Sequence, residues 1–167
     1  DLLNENFAGS SNKFYQAYLI DKKDTLQLYN AAMSYKKAED IELALKCFEE
    51  LKTINYNGSQ LLFIGYNKKL MVDEYFNTIE DRDAKIKKGT HVPLSSKIYS
   101  KKGDVYKNIA LIYAKKGFKE KALKAIYVAK KNNGFDQSLA VVEANLYLET
   151  KDYETFDHLA SSILELD

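Results

Sequence analysis

The sequence predicts an all-α fold, in which antiparallel helix pairs stack one after another as an α-solenoid. Residues 104–134 form the clearest pair, because Tyr106, Ile109, Ala110 and Tyr113 lay an apolar stripe along one helical face. The same stripe recurs along the chain at matching spacing. Composition agrees, since 46% of the 167 residues are hydrophobic and a single proline leaves long helices uninterrupted.

The second helix of this pair follows a glycine turn. Gly117 ends the first helix after two lysines, and glycine readily adopts the left-handed conformation of a helix C-terminal cap. Phe118 then opens a helix whose inner stripe is Ala122, Ile126 and Ala129. Small residues on such a stripe let two antiparallel helices approach closely, so 104–134 is predicted to fold as a helical hairpin.

The packing positions of this hairpin recur at three other places. The recurring positions are Ser10, Phe14 and Ala17; Leu28, Ala31, Ala32, Tyr35, Ala44, Phe48 and Leu51; and Tyr147, Phe156, Ala160 and Ile163. Each residue of the last group lies 34 positions after its counterpart among Tyr113, Ala122, Ile126 and Ala129. Together with Tyr106, Ile109 and Ala110, these positions resemble the tetratricopeptide repeat (TPR), a helix–turn–helix unit of about 34 residues. The resemblance implies a right-handed superhelix.

The resemblance also implies how one TPR-like domain is divided along the chain. The expected parts are a half repeat or capping helix (1–23, helix over 4–20), repeat 1 (24–56, helices Thr25–Lys37 and 41–54), a degenerate repeat 2 (57–87), an inserted loop (88–94), repeat 3 with an extended first helix (95–134) and repeat 4 (135–167, helices over 138–149 and 153–165). Because the half repeat lacks its first helix, we expect a segment of a longer chain.

Repeat 2 is the least regular part. Leu61, Ile64 and Gly65 align with Leu28 and its neighbours in repeat 1, which predicts a first helix there. Gly65 would then mark a close helix–helix contact. A second helix is expected over 70–84, and the extended helix of repeat 3 is expected to start at Ser95 or Ser96 and to run to Lys116.

The sequence contains no enzyme signature, so we expect a protein that is not an enzyme and needs no cofactor or metal. Neither His91 nor His158 is followed three or four residues later by a histidine, a cysteine or a paired acid that would complete a metal pair. Cys47 is expected to be a packed structural thiol. The sequence Asn57-Gly58-Ser59 matches a glycosylation acceptor, but its composition favours a turn.

The TPR resemblance implies that a protein or peptide partner binds in a concave groove lined by the first helices. The matching positions are Tyr29, Met33, Lys36, Leu62, Tyr66, Lys69, Lys107, Leu111, Val141 and Asn145. These side chains predict an apolar, aromatic groove with lysines at its rim, suited to an extended or helical peptide. A clamp for a terminal carboxylate is not expected, because Tyr29, Met33 and Leu111 break its pattern. Alternatively, the same residues pack inside the superhelix.

Charge is distributed unevenly, although the net charge is only +1. Residues 85–131 contain 14 lysines but only two acids, Asp104 and Glu120. An all-lysine cluster without interleaved arginines favours a solvated surface, or one facing an acidic neighbour, over nucleic-acid binding. Two alternatives to peptide binding stay open: an anionic partner for this cluster, or regulation of a catalytic domain outside these residues.

Residues 105–114 resemble a helix of bacterial TPR proteins of the cell envelope. That resemblance favours the envelope or periplasm, with the cytoplasm as the alternative. The sequence has no apolar run long enough to cross a bilayer, so no membrane-spanning segment is expected. It predicts neither the identity of the partner nor the oligomeric state.

Overall fold

The computed structural model describes residues 2–149 and 153–166, and the side chains of 6–149, 155 and 158–164. The elements are α1 (Leu2–Ile20), α2 (Thr25–Lys37), α3 (Ile41–Thr53), β1 (Ser59–Asn67), β2 (Val72–Phe76), α4 (Ile79–Lys87), β3 (His91–Ser100), α5 (Lys101–Lys116), α6 (Lys119–Asn133), α7 (Gln137–Glu149) and α8 (Tyr153–Leu166). The chain divides into a helical unit, Asp1–Tyr56 with Lys102–Asp167, and a sheet unit, Asn57–Lys101.

The prediction of an all-α solenoid is wrong for the chain as a whole, because the sheet unit contains a three-stranded antiparallel sheet. Its strand order is β2-β1-β3. Gly65 of β1 pairs with Glu74 of β2 on one side and with Pro93 of β3 on the other. The register of the β1–β3 pair shifts between Phe63 and Gly65. The chain is therefore a mixture of helices and a small sheet.

The run Ser59–Asn67 becomes a strand because a tight turn lets the following residues pair with it. The Asn67 carboxamide accepts hydrogen bonds from the backbone N–H groups of Lys69 and Leu70, both at 3.0 Å, and Met71 has a φ of 58°. Asparagine side chains stabilise such turns locally, so the chain reverses instead of forming the helix expected over 70–84. Only its last residues, at the start of α4, are helical.

Side chains approach Gly65 closely, but the contact is not the helix–helix contact that the sequence predicted, because Gly65 lies on a strand. A Cβ atom built on Gly65 would lie 3.3 Å from Cγ of Arg82 on α4 and 3.3 Å from a ring carbon of Phe76 on β2. The Arg82 guanidinium also lies 5.9 Å from the centroid of the Phe63 ring. Helix α4 therefore covers the face of the sheet to which Phe63 and Gly65 belong.

The predicted inserted loop over 88–94 and the extended helix from Ser95 or Ser96 are also wrong in their secondary structure. Residues His91–Ser100 form β3, which pairs with β1 along most of its length. The Lys101 N–H donates to the Gly58 carbonyl at 2.8 Å and closes this strand pair. Pairing satisfies the backbone groups of these residues, so α5 begins only at Lys101.

In the helical unit, the predicted helices are found within a few residues of their expected bounds, and α2 matches its predicted bounds. The buried stripe positions are Leu28, Ala31, Ala32, Tyr35, Ala44, Phe48, Leu51, Ile109, Ala110, Ala122, Ile126 and Ala129. Tyr106 and Tyr113 are half-buried against the same core. The predicted stripe position Phe156 lies outside the described side chains. Among the described residues, no helix is both long and apolar enough to cross a membrane.

Consecutive helix pairs of the helical unit are joined by side-chain contacts. The Tyr113 hydroxyl of α5 donates to Glu49 of α3 at 2.7 Å, and Lys116 of α5 pairs with Glu42 of α3. At the other end of α5, Lys102 Nζ donates to the Asn55 side chain at 3.1 Å. The end of α5 therefore lies beside the start of α3, and the start of α5 lies beside the end of α3, so the two helices are antiparallel.

Candidate functional site

The ten predicted groove residues are divided between the two units. Leu62 and Tyr66 lie on β1 and Lys69 lies in the turn after it, so these three do not line a first helix as predicted. The cause is the strand pairing of residues 59–67, which replaces the expected helix. The other seven lie on helices of the helical unit: Tyr29, Met33, Lys36, Lys107, Leu111, Val141 and Asn145.

Several of these seven make contacts within the helical unit. The Tyr29 hydroxyl donates to Asp104 Oδ2 at 2.6 Å, and its ring stacks on Tyr56 with centroids 5.7 Å apart. Lys107 Nζ donates to Asp136 Oδ2 at 2.6 Å. Met33 and Leu111 pack against the core, whereas Lys36 is exposed. The alternative that such residues pack inside the protein therefore fits Tyr29, Met33, Lys107 and Leu111.

Val141 and Asn145 instead line an open groove between α7 and α8. The groove has a volume of about 280 Å³ and is lined by Val141, Ala144, Asn145, Ala160, Ile163 and Leu164. We call it the α7–α8 groove. Its lining is apolar except for Asn145, and Val141 and Leu164 are 44% and 72% exposed. Sequence reasoning missed Ala160, Ile163 and Leu164 as site residues, because it considered first helices only.

The helical spacing explains how these side chains meet. Val141, Ala144 and Asn145 occupy positions i, i+3 and i+4, as do Ala160, Ile163 and Leu164, so each triplet lies on one helical face. The half-exposed apolar groups of both triplets thus face a common channel, and Ala144, which is 5% exposed, lies deep in it.

In the preceding pairs, side chains at three of the equivalent positions contact the segment that follows. Val141 lies 34 residues after Lys107, and Leu164 lies 34 residues after Lys130. The same spacing of 34 residues separates Tyr113 from Tyr147. Lys107 contacts Asp136 just before α7, and Lys130 Nζ contacts Glu143 of α7 at 3.0 Å. Tyr29 holds the position of Lys107 in the pair before that, and it contacts Asp104 of α5. The α7–α8 groove therefore lies at the place where each of the two preceding pairs contacts the segment that follows it.

Asp136 is held in place by its surroundings. Burial raises the pKa of its carboxyl, but hydrogen bonds from Lys107, Ser138 and the Leu139 N–H outweigh burial and hold that pKa below the ordinary value of 3.8. The Leu139 N–H donates to Asp136 Oδ1 at 3.1 Å, so Asp136 also caps the start of α7. The carboxylate thus joins the α5–α6 pair to α7.

A second polar cluster lies in the sheet unit around His91. The ring is buried, with Nε2 2.9 Å from Glu74 Oε2 and Nδ1 2.7 Å from the Thr90 hydroxyl oxygen. The Asn67 amide donates to Glu74 Oε1 at 2.7 Å, and this bond, followed by that to His91, lowers the pKa of Glu74. Sequence reasoning placed His91 in a loop and missed this cluster, because strand pairing brings its members together.

The His91 cluster is built to join strands. Both ring nitrogens are engaged, so neither points at an open space where a substrate would react. Across the part of the chain that the structure describes, no three histidine, cysteine or acidic side chains are grouped to hold a metal. Cys47 is likewise enclosed, and burial raises the pKa of its thiol to about 12.

The lysine cluster of residues 85–131 is partly neutralised by folding. Lys107, Lys116, Lys119 and Lys130 pair with Asp136, Glu42, Glu149 and Glu143, all of which lie outside that segment. Lys121 lies over the rings of Tyr113 and Phe118. The charge separation seen along the sequence is therefore smaller in space, because α3 and α7 supply acids beside these lysines.

Comparison of the chain with models of protein families gives no match, and neither does comparison with curated proteins. The TPR resemblance and the partner-binding role of the groove residues accordingly stay predictions.

Proposed function

We propose that this protein is a non-catalytic scaffold that binds another protein through the α7–α8 groove. The observation that carries the proposal is an exposed apolar groove at positions whose equivalents contact the following segment in two preceding helix pairs. The TPR resemblance is proposed for the helical unit only, where paired helices carry the recurring stripe.

The energetics of the groove support a docking role. Val141 and Leu164 hold apolar surface in water, and covering such side chains contributes up to about 1.5–3 kcal/mol each. Isolated exposed apolar side chains are common on protein surfaces, but here two of them adjoin a concave channel with an alanine floor. A partner can therefore bury several apolar groups at once.

The reactive side chains that the structure describes give catalysis little support. Nucleophilic cysteines are accessible and have lowered pKa values, whereas Cys47 is buried and its pKa is raised to about 12. Both nitrogens of His91 are engaged by Thr90 and Glu74. Binding an anion through the lysine cluster is less well supported than protein binding, since four of its lysines already have acidic partners.

The test compares the wild-type chain with Leu164→Glu and with Tyr127→Glu. Tyr127 is the matched control, because it is 68% exposed on α6 and does not line the groove. Each chain is immobilised, proteins retained by the wild type are identified, and one is purified for calorimetry. We expect Leu164→Glu to weaken its binding at least about tenfold, equivalent to about 1.4 kcal/mol, and Tyr127→Glu to leave it unchanged.

Two results would refute the proposal: no protein that binds the wild type in purified form, or equal affinity for the wild type and Leu164→Glu. Circular dichroism of each variant establishes that the helices are intact, so that lost binding reports on the groove and not on unfolding.

A further inference from the structure

We infer that the partner segment in the α7–α8 groove is an amphipathic α-helix whose groove-facing side chains are apolar and not acidic. This inference rests on the proposed function and names the chemistry of the partner. It follows from comparing the groove with the equivalent surfaces of the α2–α3 and α5–α6 pairs, which contact α5 and α7, respectively.

The visible occupants are both helices. Helix α5 contacts the α2–α3 pair through Asp104 to Tyr29 and through Tyr113 to Glu49. The first turns of α7 and the residue before it contact the α5–α6 pair, through Glu143 to Lys130 and Asp136 to Lys107. Since Ala144 and Tyr147 repeat Ala110 and Tyr113 of the preceding pair in the same register, the α7–α8 groove lies at the place where the preceding pair contacts α7.

The floor of the groove also suits a helix. Ala144 is the counterpart of Ala110, which is 0% exposed beneath its neighbours, and Ala144 itself is 5% exposed. Small side chains at these positions leave room for the interaxial distance of roughly 8–10 Å at which helices pack. An extended peptide would need backbone partners along its length, whereas Asn145 is the polar side chain of the lining.

Two residue differences between the α5–α6 pair and the α7–α8 pair indicate which side chains the bound helix presents to the groove. The α5–α6 pair presents Lys107 and Lys130, and each holds a carboxylate of the segment that follows, Asp136 and Glu143. The α7–α8 pair presents Val141 and Leu164 at the same places. A carboxylate placed there would lose water without gaining a cation, whereas an apolar side chain would gain by burial. The groove therefore selects against acidic groups.

The experiment uses the full chain and three fluorescent peptides of equal length. The first is a helix-forming peptide with leucine at i, i+3, i+4 and i+7, the second has glutamate at two of those four positions, and the third has the leucine stripe with a central proline that breaks the helix. Binding is measured by fluorescence anisotropy. We expect the leucine helix to bind at least about tenfold more tightly than either of the others.

A double variant, Val141→Lys with Leu164→Lys, recreates the cations of the preceding pair. It should lose affinity for the leucine helix and prefer the glutamate peptide, which reverses the order seen with the wild type. Circular dichroism verifies that the double variant remains folded. The double variant should also bind the glutamate peptide more tightly than the wild type does, and such a gain in affinity cannot arise from damage to the fold.

Each outcome separates this inference from the proposed function. The inference is overturned if the wild type binds the leucine helix and the proline-containing peptide equally well, or if it binds the glutamate peptide most tightly. In either case the groove still binds a peptide, so the proposed function stands. Failure of all three peptides, with a protein partner still lost on Leu164→Glu, also overturns the inference alone. If no peptide binds and no protein partner depends on Leu164, both proposals are wrong.

Discussion

Asp136 illustrates how single side chains join neighbouring helix pairs in this protein. Its carboxylate accepts from Lys107 at 2.6 Å and from the Leu139 N–H at 3.1 Å, so one residue both anchors α5 and caps α7. Tyr113 plays a similar part between α5 and α3, where its hydrogen bond to Glu49, followed by burial, raises the pKa of the phenol to about 12. Polar contacts of this kind orient helices whose apolar stripes alone would allow sliding.

Replacing Lys107 with methionine should remove the main hydrogen-bond partner of Asp136 and lower stability by about 1 kcal/mol, since the pair is only partly shielded from water. The wild-type contribution should be fully present above pH 3.8 and be lost as pH falls through the lowered pKa of Asp136. Urea unfolding at several pH values measures both effects. Lys124→Met, at an exposed site on α6, is the control and should leave both unchanged.

Cys47 should be almost unreactive in the folded protein. The side chain is 2% exposed, and burial raises the pKa of its thiol to about 12, so the thiolate fraction at pH 8 is very small. Labelling with a chromogenic disulfide reagent should be slow in buffer and complete within minutes in concentrated guanidinium, a condition chosen to unfold the chain. Rapid labelling without denaturant would show that the thiol is accessible.

At the level of elements, the stripes of alanine determine how closely helices approach. Ala31, Ala32 and Ala44 are 0% exposed in the α2–α3 pair, and Ala110 and Ala122 are 0% exposed in the α5–α6 pair. Interiors packed to this density leave no room for a larger side chain without moving a helix. The sheet unit relies on a different device, in which Asn67, Glu74 and His91 join its three strands by hydrogen bonds.

Ala110→Phe should destabilise the helical unit by about 1–3 kcal/mol through overpacking. Thermal unfolding followed by far-ultraviolet circular dichroism measures the loss as a lower midpoint. Ala8→Phe is the matched control, because Ala8 is exposed on α1 and can accept a ring without displacing a neighbour. An unchanged midpoint for Ala110→Phe would mean that Ala110 is not at a helix contact.

The sheet unit should lose stability in acid through Glu74. Hydrogen bonds from Asn67 and His91 lower its pKa below the ordinary 4.5, so the contribution is present above pH 4.5 and is lost as pH falls through the folded value. The protection factors of β1 amides, which correct for the slower intrinsic exchange in acid, should fall over that range in the wild type, whereas those of Glu74→Gln should be lower already at neutral pH. Glu80→Gln, exposed on α4, should behave like the wild type.

At the level of the whole molecule, the sheet unit is an insertion between two consecutive helix pairs. The chain leaves the helical unit after Tyr56 and returns at Lys102. The two ends are close, because Lys102 Nζ lies 3.1 Å from the Asn55 side chain and the Lys101 N–H donates to the Gly58 carbonyl. Contacts between α3 and α5 thus form although the whole sheet unit separates these two helices along the chain.

Replacing Asn57–Lys101 with a short glycine–serine linker should therefore leave a helical unit that unfolds cooperatively. The Tyr113–Glu49 hydrogen bond and the buried stripes of both helix pairs lie outside the deleted segment. Circular dichroism should show a more helical spectrum per residue and a single thermal transition. A deletion protein with no cooperative transition would show that the helical unit depends on the sheet unit for folding.

Sequence reasoning succeeded where structure follows from local spacing and failed where it follows from distant pairing. The i, i+3, i+4, i+7 stripe of α2 predicted its bounds and its buried residues. Leu61, Ile64 and Gly65 fit the same stripe, yet they lie in a nearly continuous apolar run that a strand uses equally well. The turn at Asn67 was the local signal that could have distinguished the two, together with the glycine in the middle of the run.

By itself, the sequence determined the helices of the helical unit and the faces that they bury, because helical hydrogen bonds and apolar stripes depend on residues three or four positions apart. Only the tertiary structure decided that residues 59–100 include a sheet, since its strands pair with segments far along the chain, as the Lys101 N–H does in donating to the Gly58 carbonyl. It likewise decided which predicted groove residues make contacts within the helical unit: Tyr29 donates to Asp104 and Lys107 donates to Asp136, whereas Val141 is 44% exposed. Accessibility depends on what packs against a side chain, and that neighbour comes from elsewhere in the chain.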